Sequence, residues 1–373
     1  MKKMKRQLSL FCTLLLLTAC SPESNLPVID LSAEIKNLKS SDLRDYIDTI
    51  EVIEIKSDNY FIKDLSLIGE NGNRIFGYSS NGDILIFTKE GTLLNKINNK
   101  GRGPQEYISI WEAKLDNFHE QILLLDFRNK ILKYSQEGEF LAEYANDLVK
   151  KLVCITPAGD GNYAGTLNNY GNKQYKVAVF DPAFQLIRPL FPVSEISDRN
   201  TSGMINLENI FLCNSKAIYK PNTCDTVYSI LTTGAQPEFI IKQGALKMPP
   251  ELAVKVGNNT DKEKERYIAG LYGRIAGNLY LAYYQYNGQE YYDIYDIATG
   301  QPIIHRSLNE QSYDAGEGEG FPLDINGKTV YFWPKYVQDN VLYCVVNYTD
   351  LYDSVSEADE NRNPYILKIT LKK

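Results

Sequence analysis

Three observations predict an all-β chain folded as one β-propeller of six blades. The first is a pair of matching units on either side of Gly101-Arg102-Gly103-Pro104-Gln105-Glu106-Tyr107. Before it come Arg74 to Tyr78, a turn at Asn81-Gly82, Ile84 to Thr88, a Glu90-Gly91 turn and Leu93-Leu94. After it come Ile122 to Asp126, a turn at Arg128-Asn129, Ile131 to Ser135, a Glu137-Gly138 turn and Phe140-Leu141. The second is recurrence: Gly91 and Gly138 lie 47 residues apart, about the length of a four-stranded blade, and the pattern continues to the C-terminus. The third concerns the two ends. The last unit stops after its third strand, and Thr49 to Ile55 has the content of the missing outer strand, so the N-terminal segment is expected to close the ring and remove a sheet edge.

Taken in order, the chain opens with a targeting segment. Lys2, Lys3, Lys5 and Arg6 precede an apolar run from Leu8 to Leu17 that is too short and wrongly flanked for a membrane span. Leu17-Thr18-Ala19-Cys20 resembles the lipobox of bacterial lipoproteins, which implies cleavage before Cys20 and lipid on its thiol and new amino terminus. Several acyl chains anchor firmly where one does not. The expected organisation is a signal peptide over 1–19, a lipid-anchored tether over 20–44 and the propeller over 45–373. No other segment reads as a linker.

Units three to six follow the same grammar. Unit three is Tyr163 to Leu167, Tyr175 to Asp181 and Leu186-Ile187; unit four is Lys216 to Tyr219, Asp225 to Ile230 and Phe239 to Ile241. Unit five is Asn278 to Tyr284, Tyr291 to Asp296 and Ile303-Ile304; unit six is Val341 to Val346 and Tyr365 to Ile369. The rhythm breaks once, between Gly234 and Gly300. The excess falls in Ala245 to Ile275, where Pro249-Pro250 precede a charged run from Asp261 to Arg266. This predicts a small helical insertion between blades four and five, with the charges on a solvated face.

Composition narrows the partners. Removing residues 1–19 takes away four basic and no acidic residues, so the formal net charge moves from −7 to −11. Such a surface repels phosphate backbones and argues against nucleic acid. The 27 tyrosines suit half-buried strands. Apart from Cys20, the mature cysteines are Cys154, Cys213, Cys224 and Cys344. Cys213 and Cys224 flank a hairpin in a compartment that permits disulfides, but four small buried hydrophobes is the favoured reading.

The heptapeptide resembles the Gly-(Arg/Lys)-Gly-Pro-Gly-Glu-Tyr signature of the six-bladed β-propeller lipoproteins of Gram-negative anaerobes, which are distantly similar to NHL-repeat propellers. Asp225-Thr226-Val227-Tyr228 resembles that family's blade-four element, and the lipobox, first blades and insertion also fit. The resemblance implies an exported lipoprotein of the outer membrane, often grouped with glycan uptake, with no established activity. Gln105 departs from the family, which usually has Gly there.

Propeller topology puts the inter-blade connections and the turns between second and third strands on one face. Arg102, Glu106, Tyr107, Trp111, Asp126 and Arg128 are therefore the candidate ligand-binding residues, grouped with Tyr170, Asn222, Asn287 and the 350–363 loop. Arg102 and Arg128 are suited to clamp a carboxylate or sulfate. The tyrosines between Tyr283 and Tyr295 read as core, and the acidic 350–363 loop as solvated rather than as a Ca²⁺ site. With His119 and His305 far apart, and neither a Gly-x-Ser-x-Gly elbow nor a phosphate-binding glycine loop, catalytic residues, metal and cofactor are all read as none. The expected function is a non-catalytic binding module for a glycan, peptide or protein partner. The alternatives are a carboxylate-dependent lyase or glycosidase and a scaffold subunit of an envelope complex.

Overall fold

The computed structural model describes residues 25–34, 42–58, 60–128, 130–167, 175–193, 210–222, 224–253, 262–352 and 362–372. Six sheets stand around an axis, each an antiparallel meander, and form the six blades. Their inner strands are Leu65–Glu70, Ile110–Asp116, Leu152–Pro157, Ile210–Cys213, Ala269–Ala276 and Tyr336–Gln338. Each neighbours the next, and the last neighbours the first.

The continuous apolar runs in the sequence follow from this arrangement. A middle strand is covered on both faces by adjacent blades, so Ile84–Phe87 and Ile122–Asp126 are buried at every residue. The core accordingly divides into six apolar clusters, one at each seam between neighbouring blades. Outer strands face solvent; Leu186 to Pro189 is exposed throughout.

Ring closure is as expected from the sequence. Ile47–Glu54 pairs antiparallel with Tyr365–Leu371, in a register that sets Ile50 against Ile369 and Ile53 against Ile366. At the same seam Glu70, on the inner strand of blade one, accepts from the Tyr343 hydroxyl at 2.7 Å and pairs with Lys368 at 3.0 Å, both from blade six.

Three features differ from the sequence reading. Val28–Asp30, within the expected tether, pairs parallel with the outer strand of blade four as a fifth strand, burying Ile29 and Leu31 completely. The insertion between blades four and five is shorter than expected, because Ala269–Ala276 is the inner strand of blade five. What remains includes short helical turns at Gly244–Leu246 and Pro250–Ala253. A hairpin of Phe321–Ile325 with Lys328–Phe332, between blades five and six, was not anticipated. The tyrosine-rich strands of blade five are core: Tyr284 and Tyr295 donate to the fully buried Asp293 at 2.7 and 2.9 Å. Cys154, Cys213, Cys224 and Cys344 are free thiols.

Candidate functional site

The heptapeptide carries the chain from the outer strand of blade one (Leu93–Ile97) to the inner strand of blade two. Its ends are tied by backbone bonds, Gly101 N–H to Tyr107 O at 3.0 Å and Tyr107 N–H to Asn99 O at 2.9 Å. The Glu106 carboxylate accepts from Gly103 N–H at 2.7 Å and lies against Gly101, where an added Cβ would stand 1.9 Å from its oxygen. Tyr107 is fully buried and donates to Gly82 O at 2.8 Å, joining the loop to the turn between strands two and three of blade one. Asp126, also fully buried, accepts from the N–H groups of Ile108 at 2.9 Å, Ser109 at 3.2 Å and Arg128 at 3.3 Å. Glu106, Tyr107 and Asp126 thus have their polar atoms engaged in forming the loop. Arg102 and Arg128 are exposed on the same face, and Arg102 forms no ion pair with a described residue.

Gln105 holds φ +67°, the left-handed conformation that favours Gly, so its departure from the family signature is paid for in backbone strain. Its own N–H donates to Glu143 and its carbonyl accepts from the Tyr134 hydroxyl. Both contacts use backbone atoms and would survive loss of the side chain. Gln105→Gly is therefore expected to raise stability by about 0.5–1 kcal/mol, read as a higher thermal midpoint. A lower midpoint would mean the side chain makes a compensating contact.

Of the six sequence-selected residues, Trp111 is the one that reaches a cavity. A space of ≈ 360 Å³ lies on the axis, lined by Ser66–Ile68, Tyr78, Trp111–Lys114, Val153, Cys154 and Lys335. Apart from Tyr78, at the end of the second strand of blade one, these lie towards the starting ends of the inner strands of blades one, two and three and just before that of blade six, so the cavity belongs to the face that carries the inter-blade connections. Trp111 is held rigid by its indole N–H, which donates to Val153 O at 2.8 Å, yet remains 39% exposed. Phe127, 61% exposed, stands with its ring centroid 6.0 Å from that of Trp111. Tyr170 and most of the 350–363 loop lie outside the described residues, as does Cys20.

The wall of the cavity is charged. Lys114 and Glu112 form an ion pair at 2.9 Å. Glu112 also accepts from Ile155 N–H at 2.8 Å and from the Cys154 thiol at 3.1 Å. Burial opposes the Lys114 charge, and Glu112 more than restores it, so the ammonium titrates above its ordinary value. Burial first, then the Glu112 carboxylate, pushes the Cys154 thiol well above its ordinary value, so it is not poised as a nucleophile. Arg274, from blade five across the axis, stacks its guanidinium over Phe211 at 5.6 Å and donates to Gly273 O at 3.1 Å. Burial lowers its pKa, opposed first by Tyr272 and then, more weakly, by Cys154, Tyr280 and Glu112.

Sequence reasoning missed Glu112, Lys114, Cys154, Phe127, Arg274 and Lys335. One signal was present: the charges Glu112 and Lys114 lie two apart in a strand, on one side of it and beside a Trp. His119 and His305 are not at the cavity. Each pairs through Nδ1, at 2.7 Å, with a buried aspartate, Asp116 and Asp293 respectively, that also takes a tyrosine hydroxyl. No group of three or more metal-ligating side chains occurs among the described residues, nor does a helix long and apolar enough to cross a membrane.

Fold and site together define a six-bladed propeller with a charged, aromatic-edged cavity on its axis. The chain belongs to the family described as a domain of unknown function, DUF4934, whose model matches residues 26–372. A protein of Bacteroides fragilis NCTC 9343 described as exported is similar at 18% identity and TM-score 0.68, covering 93% of this chain and 100% of its own. A member of the DUF4221 family from Bacteroides vulgatus is similar at 12% identity and TM-score 0.50, covering 87% and 97%. At these identities the likeness shows the fold. No curated protein matches the chain.

Proposed function

We propose that this protein is a non-catalytic, lipid-anchored module of the cell envelope that binds a carbohydrate at its axial cavity. The observation that carries the reading is the pairing of a fixed, half-exposed Trp111 with an exposed Phe127 beside a cavity of ≈ 360 Å³. Rigid aromatic faces next to a concave polar site are what a sugar ring needs for stacking with its hydroxyls satisfied. The binding reading is favoured over a glycosidase because the lining holds a single carboxylate, Glu112, already paired with Lys114. Cleavage by two carboxylates needs a second one a few ångströms away. Anchoring rests on the lipobox ending at Cys20, with the outer membrane as the expected site. The docked strand Val28–Asp30 would then let the lipid-bearing end leave from the rim of blade four.

The test is titration of the purified chain with a panel of oligosaccharides, read by tryptophan fluorescence. The chain has two tryptophans, and Trp333 is 8% exposed, so a ligand-dependent change reports mainly on Trp111. Phe127→Ala is expected to weaken binding about tenfold at unchanged thermal midpoint, since the ring is exposed. Trp111→Ala, which removes the reporter and is therefore titrated by calorimetry, should weaken it at least as much. Cys20→Ala should release the protein from the membrane fraction without altering binding. Binding that ignores both aromatic substitutions would sink the reading.

A further inference from the structure

We propose that the axial cavity is an oxyanion subsite, built to take the carboxylate or sulfate of an acidic saccharide on Arg274, Lys114 and Lys335. This rests on the carbohydrate reading and specifies the ligand's charge. Three cations from three different blades gather here: Lys114 of blade two and Lys335 at the start of blade six line the cavity, and Arg274 of blade five lies close enough to act on the Lys114 charge. The carboxylate among them is Glu112, so the local excess is positive in a chain whose formal net charge is −7. A local inversion of sign inside a low-dielectric wall focuses anions into the cavity and keeps them from the surrounding surface.

Glu112 is spent on Lys114, Cys154 and the Ile155 N–H. Arg274 is left without a carboxylate within ion-pair distance among the described residues. Among the described residues it donates to the carbonyl of Gly273, although a guanidinium carries five N–H donors in a fork shaped for a planar or tetrahedral oxyanion. A buried charge so placed is costly unless something pairs with it. Lys335 is exposed where it lines the cavity, free to swing onto a bound anion. The aromatic pair would hold the sugar ring while the cations hold its charged substituent. Geometry of this kind discriminates by charge rather than by ring identity.

The experiment titrates the full chain with a galacturonate oligomer, the neutral galactose oligomer of equal length, its sulfated form, and acetate and sulfate alone. The acidic oligomers are expected to bind about tenfold more tightly than the neutral one, the gap closing as salt rises. Lys335→Ala and Arg274→Met should each cost the acidic oligomers several-fold more affinity than the neutral one, so that the gap between them narrows. Lys335 is exposed, so its variant remains informative if Arg274→Met fails to fold. Preference for the carboxylate over the sulfate, or the reverse, names the substituent. Equal affinity for acidic and neutral oligomers, or an acidic preference that survives Lys335→Ala and a folded Arg274→Met, overturns the subsite while the carbohydrate reading stands. Free anions that bind while no oligomer does would support the subsite and overturn the carbohydrate reading. No response to any probe overturns both.

Discussion

Deleting residues 1–54 is expected to abolish the cooperative thermal transition and drive the remaining chain into oligomers. The deletion removes the strand Ile47–Glu54 and lays open the edge of Tyr365–Leu371, whose Ile366, Leu367 and Ile369 are fully buried. Ladder hydrogen bonds contribute about 1 kcal/mol each, so the loss is on the order of 5 kcal/mol before any packing is counted, comparable to the stability of a whole domain. The bare edge is also a template for pairing between molecules. Size-exclusion chromatography with thermal unfolding measures both effects, and a monomer of unchanged midpoint would show that the ring does not depend on this strand. Glu70→Ala tests the same seam by a point change. It strips the partner from Lys368 and from the Tyr343 hydroxyl at a site where both are largely buried, a loss of about 3 kcal/mol.

The second large effect is on the alkaline side. Tyr107, Tyr163, Tyr280, Tyr284, Tyr292 and Tyr343 all titrate far above the ordinary phenol value of 10.0. Burial is the main cause in each. Neighbouring carboxylates add to it for Tyr163 beside Asp116, Tyr284 beside Asp293, Tyr292 beside Glu290 and Tyr343 beside Glu70.

The sign follows from linkage. Folding holds these protons on, so above pH 10 the unfolded chain binds fewer protons than the native one and stability falls as pH rises. The contribution is fully present below 10. Each such phenol costs about 1.4 kcal/mol per pH unit above 10, so the six together remove roughly 8 kcal/mol by about pH 11. Lys133 works in the opposite sense, because burial lowers its pKa and loss of its proton relieves a penalty. One amine does not offset six phenols. The tyrosinate ultraviolet band and far-ultraviolet circular dichroism should therefore change together in one steep step. Gradual ionisation near pH 10 with the dichroism unchanged would contradict the burial of these hydroxyls.

Much of the fold was legible in the residues because a propeller blade is local. Each blade is a meander whose turns are set by neighbouring residues, and Glu90-Gly91 and Glu137-Gly138 mark those turns directly. Middle strands buried on both faces must be apolar at every position, which made Ile84–Phe87 and Ile122–Leu125 conspicuous. The inner strands were harder to see. They face an aqueous axis along one edge, so Ile110–Asp116 mixes Trp, Glu, Lys and Leu and shows no simple period.

The candidate site divides along the same line. The sequence determined a repeat of six blades, closure of the ring by the N-terminal strand, and the face on which inter-blade loops converge, because each of these depends on contacts close in the chain or on matching ends. It could not separate the loop-forming roles of Glu106, Tyr107 and Asp126 from binding roles, since all six candidates were polar or aromatic residues in one stretch. Only the tertiary structure decided that Lys114 and Lys335 share a cavity edged by Trp111, with Arg274 close behind its wall. They lie in blades two, five and six, separated by up to 221 residues. No local pattern reports a meeting that exists only after the ring has closed and the inner strands have been carried to a common axis.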